Sequence, residues 1–228
     1  MKHLMTAAAT ALLALSAYAC APAQSAETST DLPAATKVMS ATSGPQAPFK
    51  VTRTDGLQEM IVAGGCFWCV ESDFEKVDGV REVISGYTGG SVDNPTYKIV
   101  TGEKSGHYEA AKIIFDPSVI TYTQLLDYYW RHVDPTDAGG QFCDRGPSYS
   151  TAIFATPDQL ADAEASKAQI EQTKPFSAKI VTPILPAVTF YDAEDYHQDF
   201  YKKSSLRYKY YRNSCGRDKR VEKLWGKS

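Results

Sequence analysis

The stretch Glu59-Met60-Ile61-Val62-Ala63-Gly64-Gly65-Cys66-Phe67-Trp68-Cys69-Val70-Glu71-Ser72-Asp73-Phe74-Glu75-Lys76 decides the fold. Residues 59–63 form a short, mostly apolar run that stops at two glycines, so they read as a buried strand. From Cys66 the apolar positions Phe67, Val70 and Phe74 recur at spacings of three and four, which predicts an amphipathic helix over 66–76. The turn between them sets the Cys66 thiol at a helix N-terminus, where free N–H groups and the helix dipole favour an anion. Two glycines before it let another molecule approach the backbone, and Phe67 and Trp68 give the sulfur an apolar wall. An activated cysteine fits this setting. So does a structural cysteine buried in a strand-to-helix turn.

Downstream, strands are expected over 80–87, 107–115, 149–155, 180–182 and 188–190, and helices over 122–132, 157–173 and 193–203. Residues 91–106 and 139–147 read as loops, and the tail from Leu206 to Ser228 has no clear period. Six or so short strands with two or three helices predict an α+β two-layer sandwich. Its mixed sheet, flanked by helices, would hold a ferredoxin-like core, with a long irregular C-terminal tail. No G-x-G-x-x-G opens a helix, which argues against a doubly wound dinucleotide-binding sheet.

Upstream, Lys2 and His3 precede an uncharged run over 4–17 that is shorter than the ~20 residues of a spanning helix. Ala17-Tyr18-Ala19 then fits a small-x-small cleavage pattern, predicting a signal peptide over 1–19 and export to the bacterial periplasm. Cys20, directly after the cut, suggests acylation and membrane attachment as a lipoprotein. Ala17, where a lipobox usually carries Leu, and the bulk of Tyr18 speak against it. Residues 20–57 are rich in Ala, Ser, Thr and Pro and read as a flexible tether, leaving 58–228 as the catalytic domain with its tail. With 24 basic and 27 acidic residues the net charge is -3, which argues against a nucleic-acid binder. The 43% apolar and 22% charged fractions exclude a disordered or coiled-coil chain.

Cys66-x-x-Cys69 sets a second thiol one helical turn from the first. A zinc site usually needs a second pair, and His107 and His132 lie in unsuitable contexts. Haem attachment needs His where Val70 stands. The spacing suits a redox dithiol, so a general thiol–disulfide oxidoreductase is one reading of the chain. Glu109 points to something more specific. It sits inside an apolar-rich strand, where burial raises a carboxyl pKa and makes a general acid, unless it lies at a strand edge facing water. Tyr97 and Tyr149, beside Pro95 and Pro147, serve either as phenol donors to a site or as core tyrosines.

Five segments in order, Gly65-Cys66-Phe67-Trp68, Gly86-Tyr87-Thr88-Gly89-Gly90, Asn94-Pro95-Thr96-Tyr97, Gly106-His107-Tyr108-Glu109 and Ala193-Glu194-Asp195-Tyr196-His197-Gln198, resemble peptide methionine sulfoxide reductase, type A. The resemblance runs from about Glu59 to Tyr201. It implies reduction of the S epimer of methionine sulfoxide, free or within proteins, with Cys66 as nucleophile and Glu109 as proton donor. It gives Tyr97 and Tyr149 hydrogen bonds to the sulfoxide oxygen, has Phe67 and Trp68 hold the methyl group, and places Asp144 and His107 at the substrate. It implies a monomer that needs no metal or organic cofactor and takes electrons from an external, thioredoxin-like thiol reductant.

Relatives of this kind resolve the oxidised nucleophile through a thiol at the position of Cys69 or through one in the C-terminal tail. This chain carries both Cys69 and Cys215, and Cys143 besides, so the four thiols allow three full pairings. The preferred pairing makes Cys66 and Cys69 the redox couple and Cys143–Cys215 a bridge pinning the tail. The alternative has Cys215 resolve Cys66.

Overall fold

The computed structural model describes residue 53 and residues 55–227. The expected signal peptide over 1–19, Cys20 and nearly all of the tether over 20–57 lie outside the described residues. In chain order the elements are β1 (Gln58–Gly64), α1 (Phe67–Phe74), β2 (Val80–Thr88), α2 (Tyr97–Thr101), β3 (Tyr108–Phe115) and α3 (Tyr122–Trp130). The hairpin β4 (Gly140–Gln141) and β5 (Asp144–Arg145) follows, then a 3-10 turn over Pro147–Tyr149, β6 (Thr151–Ala155) and α4 (Leu160–Thr173). The last elements are β7 (Ile184–Pro186), β8 (Tyr191–Asp192), α5 (Phe200–Lys203), α6 (Ser205–Cys215) and α7 (Arg217–Trp225).

Six strands make one sheet in the order β7-β6-β1-β3-β2-β8. Its centre, β6-β1-β3-β2, is antiparallel throughout, and only β7 pairs parallel, with β6. The β1-α1-β2 and β3-α3-β6 connections each skip one strand, which is the ferredoxin-like arrangement. Period-two alternation sorts the side chains. Met60 and Val62 of β1 and Ala111, Ile113 and Phe115 of β3 pack with Val70 and Phe74 of α1 and Leu125, Leu126 and Trp130 of α3. Ile61, Ala63 and Ala110 face the opposite side, under Leu185, Ala187 and Phe190. By the same alternation Glu109 shares the α1 side of β3, whereas Lys112 points away and pairs with Asp192 at 3.3 Å.

Several local expectations are corrected. The tail is not irregular, because α6 and α7 cover most of it. Their buried residues are few, Tyr208, Arg217 and Leu224, and ion pairs hold the rest: Arg212 to Asp73 at 2.8 Å and Arg220 to Asp134 at 2.6 Å. A charged interface leaves no hydrophobic period to read. The helix expected over 193–203 shrinks to Phe200–Lys203. Upstream of it the Gln198 amide donates to the Ser85 and Ala193 carbonyls, both at 2.8 Å, and residues 195–199 turn instead of continuing as a helix. The two short strands form at 184–186 and 191–192 rather than at 180–182 and 188–190, and the polar loop over 91–106 contains α2.

Glu71 ties α1 to this segment. Its carboxylate accepts the Asp199 N–H at 2.7 Å and the Ser85 hydroxyl at 3.0 Å, and burial pushes its pKa up to about 7. A carboxyl raised in the folded state favours folding while it stays protonated. That contribution is whole below the ordinary value of 4.5 and is lost by the time pH has risen through about 7. Glu71→Gln keeps both hydrogen bonds, carbonyl to Asp199 and amide to Ser85, and cannot ionise. Thermal melts at pH 5 and pH 7.5 should therefore show a smaller drop in Tm for the variant than for the wild type, and parallel drops would refute the assignment.

Candidate active site

Cys66 caps α1 with an extended backbone and accepts the N–H groups of Cys69 and Val70 on its carbonyl at 3.0 and 3.4 Å. Gly65 before it has φ +81°, and a Cβ there would lie 2.5 Å from the Cβ of Gln141, so the turn requires glycine. The thiol is 6% exposed. The first N–H of the helix, that of Phe67, donates to Oε2 of Glu109 at 3.1 Å rather than to the sulfur. The expectation of a resting thiolate at Cys66 is corrected for this reason: burial, together with neighbouring Cys69 and Glu109, pushes the Cys66 thiol up.

Glu109 is 2% exposed, and burial pushes its carboxyl up to about 8, against the Phe67 N–H and a Tyr149 hydroxyl that pull it down. It is a protonated acid at neutral pH, in position behind the nucleophile. Tyr149 closes the 3-10 turn and Tyr97 opens α2; both are half-buried near Glu109, and burial raises both phenols. Glu194 fixes this arrangement by accepting the Tyr97 N–H at 2.9 Å and the Tyr87 hydroxyl at 2.8 Å.

The apolar wall is built across elements. The Trp68 ring stacks on Phe200 at 3.8 Å between centroids, and its indole N–H donates to Nδ1 of His197 at 3.1 Å. The His197 ring lies 4.9 Å from Phe67 and 4.6 Å from Tyr97. Asp144, raised by burial, accepts the hydroxyl of Tyr211. Tyr211 comes from α6, sets its ring edge-on to Trp68 at 5.8 Å and packs against the cluster that holds Cys66 and Cys69.

Cys66, Glu109, Tyr97, Tyr149, Phe67, Trp68 and Asp144 thus converge. His107 does not. Its Nδ1 accepts the Gly90 N–H at 3.2 Å and its Nε2 lies 2.7 Å from the Val92 carbonyl, so both ring nitrogens are occupied in shaping the loop after β2. Cys143 and Cys215 are joined in a disulfide that ties the β4–β5 hairpin to the end of α6, with Cα atoms 4.8 Å apart, while Cys66 and Cys69 are free. Cys215, a candidate to resolve Cys66, is therefore already engaged. The sequence reading missed Tyr211, Arg212 and Arg217. The signal for Tyr211 and Arg212 was the i, i+3, i+4 spacing of Tyr208, Tyr211, Arg212 and Cys215, which marks one helix face.

A buried thiol opposed by a protonated carboxyl and two phenols, on a ferredoxin-like sheet, defines a thiol reductase for a centre that bears oxygen. The chain belongs to the peptide methionine sulfoxide reductase family, whose model matches residues 58–228. It is 54% identical over 166 residues to peptide methionine sulfoxide reductase MsrA 2 of Caulobacter vibrioides, covering 73% of this chain and 84% of the relative. It is 50% identical over 165 residues to MsrA of Bacillus subtilis, covering 72% and 93%. Among solved structures, Mxr1 of Saccharomyces cerevisiae in reduced form superposes with a TM-score of 0.62 at 30% identity, covering 66% of this chain and 87% of that one. Methionine sulfoxide reductase A of Corynebacterium diphtheriae gives 0.58 at 29% identity, covering 66% and 76%. The chain is accordingly an oxidoreductase of the MsrA type that reduces methionine S-sulfoxide with thiol electrons.

Proposed function

We propose that Cys66 attacks the sulfoxide sulfur while Glu109 protonates the oxygen, with Tyr97 and Tyr149 as hydrogen-bond donors to it, Asp144 nearby, and Phe67 and Trp68 enclosing the methyl group. The carrying observation is the Glu109 carboxyl, buried against the Phe67 N–H and raised to about 8. A sulfoxide oxygen leaves poorly until protonated, so an acid belongs opposite the thiol. The Cys66 thiol and the sulfoxide give methionine and a Cys66 sulfenic acid. The sulfoxide sulfur gains two electrons and the Cys66 sulfur loses them. Cys69 then displaces water and closes a disulfide, which an external, thioredoxin-like dithiol reduces. No metal or organic cofactor enters these steps.

The uncharged run over 4–17 and the Ala17-Tyr18-Ala19 pattern support export to the periplasm, and Cys20 supports a lipid anchor. The substrates are then oxidised exported proteins, met by a monomer. General thiol–disulfide exchange through Cys66 and Cys69 leaves Glu109 and both tyrosines without a role. Turnover of each purified methionine sulfoxide epimer with dithiothreitol tests the reading. Consumption of the S epimer alone is expected, and activity confined to the R epimer, or none, overturns it.

A further inference from the structure

The charge of the chain is unevenly placed. Residues 201–228 hold ten of its 24 basic residues and two of its 27 acidic ones, Asp218 and Glu222, for a net charge of +8. Residues 1–200 hold the other 14 and 25, a net charge of -11. Part of the basic excess is neutralised inside the fold. Arg212 and Arg217 face Asp73, Arg220 pairs with Asp134, and Lys202 pairs with Glu75 and Asp199. The two local acids are engaged as well, Asp218 by Arg212 at 2.6 Å and Glu222 by Lys227 at 3.6 Å. Lys203, Arg207, Lys209, Lys219 and Lys223 are left with no ion pair among the described residues.

Three of these free cations lie on or just before α6, which has two unlike faces. Tyr208, Tyr211, Arg212 and Cys215 turn inward, to the cluster that holds Cys66, to Asp73 and to Cys143. Leu206, Tyr210 and Asn213 repeat the spacing of three and four on the outward face, with Lys209 on one flank and Arg207 on the other. All five are exposed. Leu206 at 83% and Tyr210 at 77% are the two most exposed large apolar side chains of the described residues, and they stand one turn apart on the same ridge. Apolar tips flanked by long cationic side chains make the pattern of a helix that lies flat in a headgroup layer. A lipid surface moulds itself to such a ridge, whereas a protein partner would need a shaped counterpart.

We propose that the outward face of α6 is a docking surface for an anionic lipid layer, with Leu206 and Tyr210 entering the layer and Lys203, Arg207 and Lys209 meeting its headgroups. The charge asymmetry sets the orientation, because an anionic surface attracts the C-terminal helices and repels the rest of the chain. No helix among the described residues is long and apolar enough to cross a membrane, and the contact is a peripheral one. Docking has a consequence for the site. Tyr211 meets Trp68 from the inner face of α6, so the bound domain holds its site about one helix diameter, roughly 10 Å, from the lipid. Oxidised methionines of membrane-bound proteins are then the first it meets. The contact belongs to the folded domain and does not depend on an acyl chain at Cys20.

Vesicle sedimentation tests this with the chain from residue 20 onward carrying Cys20→Ser, so that no acyl chain takes part and the question of the anchor stays separate. The protein should pellet at low salt with vesicles of equal parts phosphatidylglycerol and phosphatidylcholine, and stay in solution with phosphatidylcholine alone. Salt at about 1 M, where screening shortens to ~3 Å, should release it. Arg207→Gln and Lys209→Gln should each weaken binding about fivefold, the contribution of one cation beside an anionic surface. Leu206→Ser together with Tyr210→Ser should weaken it at least about tenfold, the lower end of what burying one such side chain contributes. All four side chains are exposed, so turnover of free methionine S-sulfoxide should keep the wild-type rate and report an intact fold. No binding to the anionic vesicles overturns the proposal, and so does vesicle binding that either pair of substitutions leaves unchanged. Retention on immobilised poly-glutamate that Arg207 and Lys209 govern, with vesicles left unbound, overturns it too and assigns the face to an acidic protein.

Discussion

Glu109→Gln should lower kcat for methionine S-sulfoxide by roughly 10³-fold, the middle of the range a general acid supplies, or about 4 kcal/mol of barrier. The amide is isosteric, and its carbonyl still accepts the Phe67 N–H, so the turn before α1 and the position of Cys66 are kept. What is lost is the proton. The sulfoxide oxygen would have to leave with only the Tyr97 and Tyr149 hydroxyls to stabilise it, and both phenols are raised by burial and hold their protons tightly. The pH dependence carries the same signature. Glu109 must be protonated to act, so wild-type kcat should fall as pH rises through about 8. The residual activity of Glu109→Gln should lack that falling limb. Exchange with a small disulfide needs a thiol but no oxygen-directed acid and should be nearly unchanged in the variant. Equal loss of both activities, or a wild-type profile flat across pH 8, would remove Glu109 from the acid role.

What the chain announced in advance, and what it concealed, follows from the kind of interaction that holds each part. The β1–turn–α1 unit was legible because its core contacts are apolar and local: Met60 and Val62 alternate, Phe67, Val70 and Phe74 recur at helical spacing, and two glycines separate the two periods. Glu109 was legible as a misfit, a carboxylate on the same face as Ala111 and Ile113, whereas Lys112 on the other face finds Asp192 at the surface. The C-terminal helices were not legible, because Arg212, Arg217 and Arg220 dock on Asp73 and Asp134 instead of apolar rows, and period analysis is blind to charge pairs. The segment from Ala193 to Gln198 has helical propensity, yet Glu194 and Gln198 spend their side chains on Tyr87, Tyr97 and Ser85, roughly a hundred residues away along the chain. Such long-range bonds override local preference. The charge state of Cys66 escaped for a related reason: a helix N-terminus favours an anion only if its N–H groups are free, and Glu109 takes the first of them.

The two cysteine pairs should separate cleanly on substitution. Cys66→Ser should abolish methionine formation. Cys69→Ser should still form one methionine per enzyme, because the attacking thiol, the acid and the phenols remain, and should then stall as a Cys66 sulfenic acid, with steady turnover on a dithiol reductant reduced by orders of magnitude. Cys215→Ser should behave in the opposite way. Its partner Cys143 is 72 residues away in sequence, and opening a loop of that length costs about 4 kcal/mol in the chain-entropy account. Thermal stability should drop, and α6, which carries Tyr211 and Arg212 to the site, should lose its tie to the β4–β5 hairpin. Closure of the Cys66–Cys69 disulfide should persist, because the two thiols share one turn of α1 and need no help from the tail to meet. Peptide mapping after a single turnover without reductant, with thiols blocked before digestion, distinguishes the cases. A Cys66–Cys69 peptide in both the wild type and Cys215→Ser is the expected result. A Cys66–Cys215 peptide in the wild type, with Cys69→Ser turning over normally, would transfer the resolving role to the tail and reduce Cys69 to a buried neighbour of the nucleophile.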